Sequence, residues 1–382
     1  RAVRGRWTRM QNGPQPRWLP NGETAYQRML AAIDAARSSV RLETYIFSAG
    51  VPGDLFRAVL AAAAKRGVRV EVLVDGFGSR PLPADYWKPV RAAGGDVRVF
   101  NPVSLDRIAI RDHRKLLLVD GETAFVGGFN IAPEYAGDGV TRGWCDFGVE
   151  LHGAIAEKLG ASFEVLFAHH DYRFPRLGRW RHTRQRRALH NYAREAMLAT
   201  GPGFGRNIFH RRLLHDLGRA RDVEIVSAYF VPGYRLRRAL RLVVRRGGSA
   251  RLLLAGRTDV PLVQLAGRAF YGGLQRAGVA IDEYQPQVLH AKLAIVDDAV
   301  FVGSSNLDAR SLTINYEVMV RIQDRAFAAA GRELIAAARQ HARPVRRRRR
   351  GGVWQRLREW WARFLLTRVD IWLARRQLRR LV

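Results

Sequence analysis

The chain carries one short motif twice, nearly half a chain apart, and this duplication limits its possible folds more than any other feature. The first copy is His113-Arg114-Lys115, followed by four apolar residues and Asp120; the second is His290-Ala291-Lys292, with Asp297 at the same spacing. Both copies share a downstream glycine and then an asparagine, at Asn130 and Asn306. We therefore predict two similar halves built on one fold.

Each motif lies where the pattern of apolar residues predicts a strand, a turn and a returning strand, at 115–119 with 123–126 and at 292–296 with 299–302. Residues two apart on a strand face the same side, so each histidine projects together with its lysine. The aspartate falls at the strand end, which favours a structural partner of the turn. We keep Asp120 and Asp297 among the candidate catalytic residues because they complete the motif.

Helices and strands alternate in the same order in both halves, which predicts an α/β fold made of two stacked repeats. The predicted elements are a helix, a strand, a helix and a strand, at 26–36, 40–47, 54–66 and 68–74 and again at 211–219, 223–230, 235–246 and 251–255. The predicted domains are a first domain over 1–170, a basic linker over 171–192, a second domain over 193–340 and a basic tail over 341–382.

The formal net charge is +31, which indicates a polyanionic partner, either nucleic acid or an anionic membrane surface. A solvated basic surface that reflects genomic base composition is the alternative. Only five of the 65 lysine and arginine residues are lysine, and two of these are Lys115 and Lys292. An ammonium group is a compact point charge, so its use inside the motif suits contact with a phosphate. The chain has a single cysteine, Cys145, which excludes an intramolecular disulfide. It has no run of about 18 apolar residues, so we predict no transmembrane helix.

The C-terminal tail combines five consecutive arginines, 346–350, with large apolar residues at helical spacing, namely Trp354, Leu357, Trp361, Phe364, Leu365 and Trp372. This combination is typical of an amphipathic helix that lies on an anionic membrane. The alternatives are a helix docked on the core of the protein itself and a helix that pairs with a coiled-coil partner. We favour the membrane surface because of the density of tryptophan and arginine.

The paired motif suits chemistry on a phosphodiester, which needs charge neutralisation, an in-line nucleophile and a protonated leaving group. One neutral histidine can attack phosphorus while the other, protonated, donates to the leaving oxygen. Lys115 and Lys292 can supply cationic donors to the phosphate, and Asn130 and Asn306 can supply amide donors. This scheme needs neither metal nor cofactor, and the histidines form no zinc-binding pattern.

At these residues the chain resembles the phospholipase D superfamily, whose members carry two H-x-K-x4-D motifs. Further stretches resemble bacterial cardiolipin synthases, most of all the B type, at 42–46, 75–79, 127–130, 228–233 and 303–308. The resemblance implies two α/β sandwich domains related by a pseudo-twofold, with the active site at their interface. It also implies a covalent phosphatidyl-histidine intermediate.

The same resemblance implies roles for individual residues. His113 corresponds to the nucleophile and His290 to the acid. Acidic residues downstream of the motifs orient the histidines in this superfamily, and by spacing these are Asp146 and Glu317.

Three functions compete on this evidence. The first is transfer of a phosphatidyl group from phosphatidylglycerol to the glycerol hydroxyl of a second lipid. The second is hydrolysis of a phospholipid or of DNA through the same intermediate, and the third is a binding module without activity. The complete motifs, the tail and the extent of the resemblance favour the first, with anionic phospholipid as partner rather than nucleic acid, at the cytoplasmic side of a bacterial membrane.

Overall fold

A computed structural model describes residues 14–103, 109–171, 195–202 and 207–346, together with 357, 358, 361, 362 and 364–366 of the tail. Nearly all of the predicted linker, and Trp354, Trp372 and four of the five consecutive arginines, lie outside the described residues. In the described part of the chain, no helix combines the length and apolar character needed to cross a membrane.

The first half contains seven strands that form one mixed sheet. These are β1 (Arg17–Leu19), β2 (Ser39–Thr44), β3 (Arg69–Asp75), β4 (Asp96–Phe100), β5 (Leu116–Val119), β6 (Thr123–Gly127) and β7 (Gly148–His152). Their order across the sheet is β1-β7-β6-β5-β2-β3-β4. Strands β2, β3 and β4 run parallel, whereas β5, β6 and β7 form an antiparallel meander that joins them through β2.

The second half repeats this topology and adds one strand. Its strands are β8 (Glu195–Thr200), β9 (Asp222–Ser227), β10 (Ser249–Ala255), β11 (Ala280–Tyr284), β12 (Lys292–Val296), β13 (Ala299–Gly303), β14 (Glu317–Gln323) and β15 (Ala342–Pro344). Read from its far edge, the sheet has the order β8-β14-β13-β12-β9-β10-β11, equivalent to that of the first half, followed by β15. The predicted α/β class and internal repeat are therefore confirmed, and the added strand β15 lies within the range predicted as tail.

Helices cover both sheets and leave the motif strands buried. The first half has α1 (Gly22–Asp34), α2 (Gly53–Lys65), α3 (Lys88–Ala92) and α4 (Ala154–Ala168), and the second has α5 (Ile208–Leu217), α6 (Tyr234–Arg245), α7 (Pro261–Arg268), α8 (Tyr271–Gln275), α9 (Ala309–Thr313) and α10 (Arg325–Gln340). Helix α1 shows why these segments are helical. Asn21 caps its first turn by accepting from the Thr24 N–H, and its apolar side chains recur at the spacing that buries one face.

The two halves share one apolar core, so neither sheet is independent of the other. Apolar residues of β6, β7 and α4 form a single cluster with residues of β13, β14 and α10. At its edge the Trp18 ring stacks on the Phe327 ring at 4.6 Å, and the indole N–H donates to the Phe327 carbonyl at 3.1 Å. Burial of apolar surface thus fixes the position of one half against the other.

Candidate active site

The two motif histidines line one cleft between the halves of the chain. The cleft has a volume of about 650 Å³ and is also lined by Tyr45, Asn130, Tyr229 and Asn306, among others. His113 leads into β5 and His290 leads into β12, which are equivalent strands of the two sheets. The strand pattern therefore delivers one imidazole from each half to the same space, as the duplicated motif predicts.

Each histidine is oriented by a carboxylate from the opposite half. Nδ1 of His113 lies 3.1 Å from both carboxylate oxygens of Glu317, and Nδ1 of His290 lies 2.7 Å from Oδ2 of Asp146. A carboxylate on Nδ1 selects the tautomer that carries its proton there and leaves the Nε2 lone pair free. The two acidic residues expected from the resemblance therefore contact the histidines, each across the interface.

Backbone hydrogen bonds between the halves keep each histidine next to its carboxylate. The His113 N–H donates to the Tyr316 carbonyl at 2.9 Å, and the His290 N–H donates to the Cys145 carbonyl at 2.7 Å. The acceptors Tyr316 and Cys145 directly precede the two orienting carboxylates in sequence. The chain segment that carries each histidine is thus paired with the segment that carries its carboxylate.

The residues that adjoin the two orienting carboxylates differ between the halves: Gly128 adjoins Asp146, and Ser304 adjoins Glu317. A Cβ on Gly128 would stand 2.3 Å from both carboxylate oxygens of Asp146, so only glycine leaves room there. In the second half Ser304 takes this place, and its hydroxyl donates to Glu317 at 2.6 Å. Sequence reasoning missed both positions, although each belongs to the glycine-containing stretch after its motif.

The motif lysines lie behind the histidines as buried cations, 3% and 2% exposed. Lys115 donates to the carbonyl of His113 at 2.6 Å, and Lys292 donates to the carbonyl of His290. Nζ of Lys292 also stands 2.7 and 2.9 Å from the two ring nitrogens of His290. Burial, opposed by the charge of Glu317 for Lys115 and of Asp146 for Lys292, lowers the pKa of Lys115 to about 7 and that of Lys292 to about 8.

Burial and nearby positive charge favour the neutral form of both imidazoles in the free site. Burial and the charge of Lys115 hold the pKa of His113 well below its usual value. Burial and the charge of Lys292 lower the pKa of His290 to about 4, against the opposing effect of Asp146. Burial also raises the pKa of Glu317 to about 7, which the charge of Lys115 and the Ser304 hydroxyl oppose.

The two asparagines play unequal parts. The Asn130 side chain accepts from the Ile46 N–H and donates to the Tyr135 hydroxyl, which lies 3.3 Å from Nε2 of His290. It thus acts on His290 through Tyr135. The Asn306 Oδ1 is buried and has no hydrogen-bond partner within the described ranges, so it is available to a bound ligand.

Aromatic rings beside the histidines were not identified from the sequence. Tyr135 and Trp144 flank His290, with ring centroids 5.1 and 5.3 Å from the imidazole. Tyr45 lies 5.0 Å from the ring of His113. Tyr45 belongs to a stretch quoted for the family resemblance, and Trp144 directly precedes Cys145-Asp146, but neither position carries a motif that reveals its contact.

The two motif aspartates lie at strand ends, where they hold backbone of the neighbouring strand. Oxygens of Asp120 accept from the N–H groups of Arg37, Ser38 and Ser39 at 2.7 to 3.2 Å. Asp297 accepts in the same way from Arg221 and Asp222 at 3.0 and 2.9 Å. These contacts favour the structural role that the strand-end position suggested.

The comparisons with known proteins agree with this geometry. The family described as "Cardiolipin synthase, PLD-like domain" matches residues 29–138 and 213–338. Cardiolipin synthase B of Escherichia coli (strain K12) is 35% identical over 316 residues, which cover 81% of this chain and 76% of that protein. Cardiolipin synthase A of Pseudomonas aeruginosa (strain LESB58) is 35% identical over 328 residues, 84% of this chain and 66% of that protein.

A solved structure shows the same fold. The crystal structure of phosphatidylserine synthase from Haemophilus influenzae Rd KW20 matches with a TM-score of 0.72 at 12% identity, covering 94% of this chain and 95% of that one. The match to a PLD-like domain model over both motif regions identifies the chain as a member of the phospholipase D superfamily. Within it, the chain belongs to the cardiolipin synthase family and is a phosphatidyltransferase.

Replacing Asp120 by alanine tests the structural role of the motif aspartate. We expect Asp120→Ala to lower the free energy of unfolding by about 1–3 kcal/mol, because backbone N–H groups lose their acceptor. Urea denaturation measures this, and activity per folded molecule should fall far less than in His113→Ala. Unchanged stability together with loss of all activity would assign Asp120 to the chemistry instead.

Replacing Gly128 by alanine tests whether the position of the Asp146 carboxylate matters for activity. The new Cβ must push the carboxylate away from His290, and we expect activity to fall about 100-fold, as displacement of a reacting group by an ångström does. The matched control is Gly233→Ala, where a Cβ meets open space and φ is −64°. Equal rates for the Gly128 and Gly233 variants would contradict the positioning of His290 by Asp146.

Proposed function

We propose that this chain transfers a phosphatidyl group from one phosphatidylglycerol molecule to the glycerol hydroxyl of another, giving cardiolipin and glycerol. The observation that supports this most is the pair of imidazoles in one cleft, each with Nδ1 on a carboxylate of the other half. The relatives that share both motif regions over most of the chain are named cardiolipin synthases. No metal or cofactor takes part in the proposed steps.

In the first step Nε2 of His113 attacks phosphorus. Glu317 on Nδ1 holds the reactive tautomer and stabilises the positive ring that forms. The P–O bond to the glycerol headgroup breaks, and His290 gives its proton to the leaving oxygen. The products are free glycerol and a phosphatidyl group bound to His113 through a P–N bond.

In the second step the roles of the two histidines reverse. The glycerol hydroxyl of a second phosphatidylglycerol molecule gives its proton to Nε2 of His290 and attacks phosphorus. The P–N bond breaks, so that His113 leaves as a neutral ring and cardiolipin is released. Water in place of the second lipid would give phosphatidic acid, so the product distinguishes transfer from hydrolysis.

The acid becomes charged when substrate binds. In the free site the nearby lysines and burial keep His290 neutral, with its pKa lowered to about 4. A phosphodiester between the histidines adds a negative charge, which offsets the lysines and raises the pKa of both rings. Proton uptake by His290 is thereby tied to the arrival of the anionic group that needs it.

The substrate places the enzyme at a membrane surface, and the described tail residues suit that location. Leu357, Trp361, Phe364 and Leu365 are between 39% and 49% exposed and lie at helical spacing. Ala362, in contrast, is buried and Leu366 packs against the core of the second half. One face of the tail therefore docks on the protein, as the alternative interpretation held, and the other offers apolar side chains to a peripheral contact with anionic lipid.

An activated donor separates the nucleophile from the acid. Phosphatidyl-p-nitrophenol has a leaving group that needs no proton, so His290→Ala should still release about one p-nitrophenol per enzyme in a burst, because the acid is bypassed. His113→Ala should release none. Stopped-flow absorbance measures the burst, and protein denatured at alkaline pH, where the P–N bond is stable, should carry the phosphatidyl group on His113.

The natural donor tests the overall reaction. Wild-type protein mixed with phosphatidylglycerol vesicles should release glycerol and form cardiolipin, both measurable by mass spectrometry. A burst from His113→Ala but not from His290→Ala would reverse the assigned roles. Phosphatidic acid as the main product would replace transfer by hydrolysis.

The pH dependence of kcat/KM reports the free site. The lysine charges are present below their lowered pKa values, about 7 for Lys115 and about 8 for Lys292, and are lost as the pH rises through them. We therefore expect kcat/KM to fall between pH 7 and 9. Lys292→Arg should be slower but should keep its charge, because a guanidinium does not deprotonate. The part of the decline near pH 8 should therefore be lost, while the part near pH 7, which belongs to Lys115, remains.

Lys158→Arg, on the exposed side of α4, is the control and should keep the wild-type profile. A wild-type kcat/KM that keeps rising up to pH 9 would show that the buried lysine charges are not required.

A further inference from the structure

A second, apolar cavity opens beside the catalytic cleft. Its volume is about 490 Å³, within the range of ligand sites in proteins. Its apolar wall comes from the second half and the tail, namely Val231, Val260, Leu262, Val263, Leu365 and Leu366. Leu262 lines this cavity and is 41% exposed, so the cavity reaches the surface of the protein.

The two cavities adjoin each other along a mostly polar wall. Tyr229, Val260, Asp308 and Arg310 line both. The Tyr229 hydroxyl donates to Asp259, and Asp308 caps α9 by accepting from the Ser311 N–H. Polar groups are thus concentrated on the side of the histidines, and the space beyond them is apolar.

The tail supplies one wall of this cavity. Leu365 and Leu366 lie on it, while Ala362, only 2% exposed, anchors the segment against the core of the second half. Removal of this segment would therefore leave the cavity open on that side. The tail is placed to act on the substrate site as well as on a membrane.

We propose that this cavity holds one acyl chain of the phosphatidyl substrate, with the tail as its outer wall. The proposal rests on the proposed function, because a phosphodiester held between the histidines directs the rest of its molecule into an adjoining space. An apolar space bordered by polar groups on its catalytic side matches a lipid, whose polar head is joined to an alkyl chain. A peptide segment or a second copy of the chain has no comparable reason to enter from the catalytic side.

Photolabelling locates the chain directly. Full-length His113→Ala protein, which binds without turnover, is mixed with vesicles of phosphatidylglycerol that carries a diazirine in one acyl chain. After irradiation and digestion, mass spectrometry should find label on residues 260–263 and on Leu366, whereas Leu365 is exposed and could also be labelled from the membrane. Label confined to Leu357, Trp361 and Phe364 would show contact with the membrane only and would overturn the proposal.

Narrowing the cavity tests its role in turnover. Glycerol release is compared between dioleoyl-phosphatidylglycerol, which has long acyl chains, and dibutanoyl-phosphatidylglycerol, which has short ones. In Val263→Trp the ratio of the first rate to the second should fall about tenfold or more, because the narrowed apolar pocket excludes the long chain. Leu55→Trp is the control, since Leu55 is 52% exposed on α2 of the other half. An unchanged ratio in Val263→Trp would overturn the proposal, and the photolabelling result stands even if this variant fails to fold.

The two experiments separate this proposal from the proposed function. Label at the cavity without glycerol release from wild-type protein would remove the transfer reaction and leave the lipid site. Glycerol release with no label at the cavity would retain the reaction and remove the acyl site.

Discussion

Each histidine of the cleft depends on a carboxylate that the other half of the chain supplies. Glu317 holds His113 and Asp146 holds His290, so neither half contains a complete set of groups. The apolar core shared by the sheets and the bridges at Tyr316 and Cys145 keep these pairs within hydrogen-bond distance. Packing between the halves is therefore a condition for the chemistry and not only for stability.

Burying so many charges has an electrostatic consequence. Two ammonium groups, Lys115 and Lys292, share the interior with Asp146 and Glu317, and each cation is opposed by carboxylate charge. Burial disfavours the charged forms of the two lysines and of Glu317, whereas attraction between opposite charges favours them. Burial and the nearby lysine charges lower the pKa of both histidines. A free site with neutral imidazoles is poised for an anion that restores the positive charge of one ring.

Much of this arrangement follows from the sequence, for identifiable reasons. The motif strands are four or five residues long, and in each half a histidine and a lysine stand at or just before the apolar residues. The alternation of side chains along a strand and the spacing of the motif therefore predict that His113 and Lys115, and their counterparts, lie close together. The family resemblance, carried onto this chain by spacing, implies Asp146 and Glu317 as the orienting acids. Spacing does not tell which histidine each carboxylate meets, because that depends on how two sheets pack and not on distance along the chain.

Other contacts escape sequence reasoning for the same kind of reason. Tyr135 and Trp144 reach His290 because a loop of the first half folds over the interface, and no periodic pattern encodes such a loop. The tail illustrates a different limit. Its apolar residues at helical spacing are visible in the sequence. The spacing alone does not tell which apolar side chains dock on the protein and which stay exposed. In the structure Ala362 and Leu366 dock on the second half.

Duplication explains why two histidines meet, and divergence between the copies explains how they can differ. The first half places a short acid over a glycine, Asp146 over Gly128, whereas the second places a longer acid against a hydroxyl, Glu317 against Ser304. Aromatic rings enclose His290 on two sides, and His113 meets a single tyrosine ring among the described contacts. Two identical side chains in identical surroundings would have the same proton affinity until an asymmetric substrate bound between them. The unequal surroundings remove that equivalence in the free site, so the asymmetry between the halves favours a fixed assignment of nucleophile and acid.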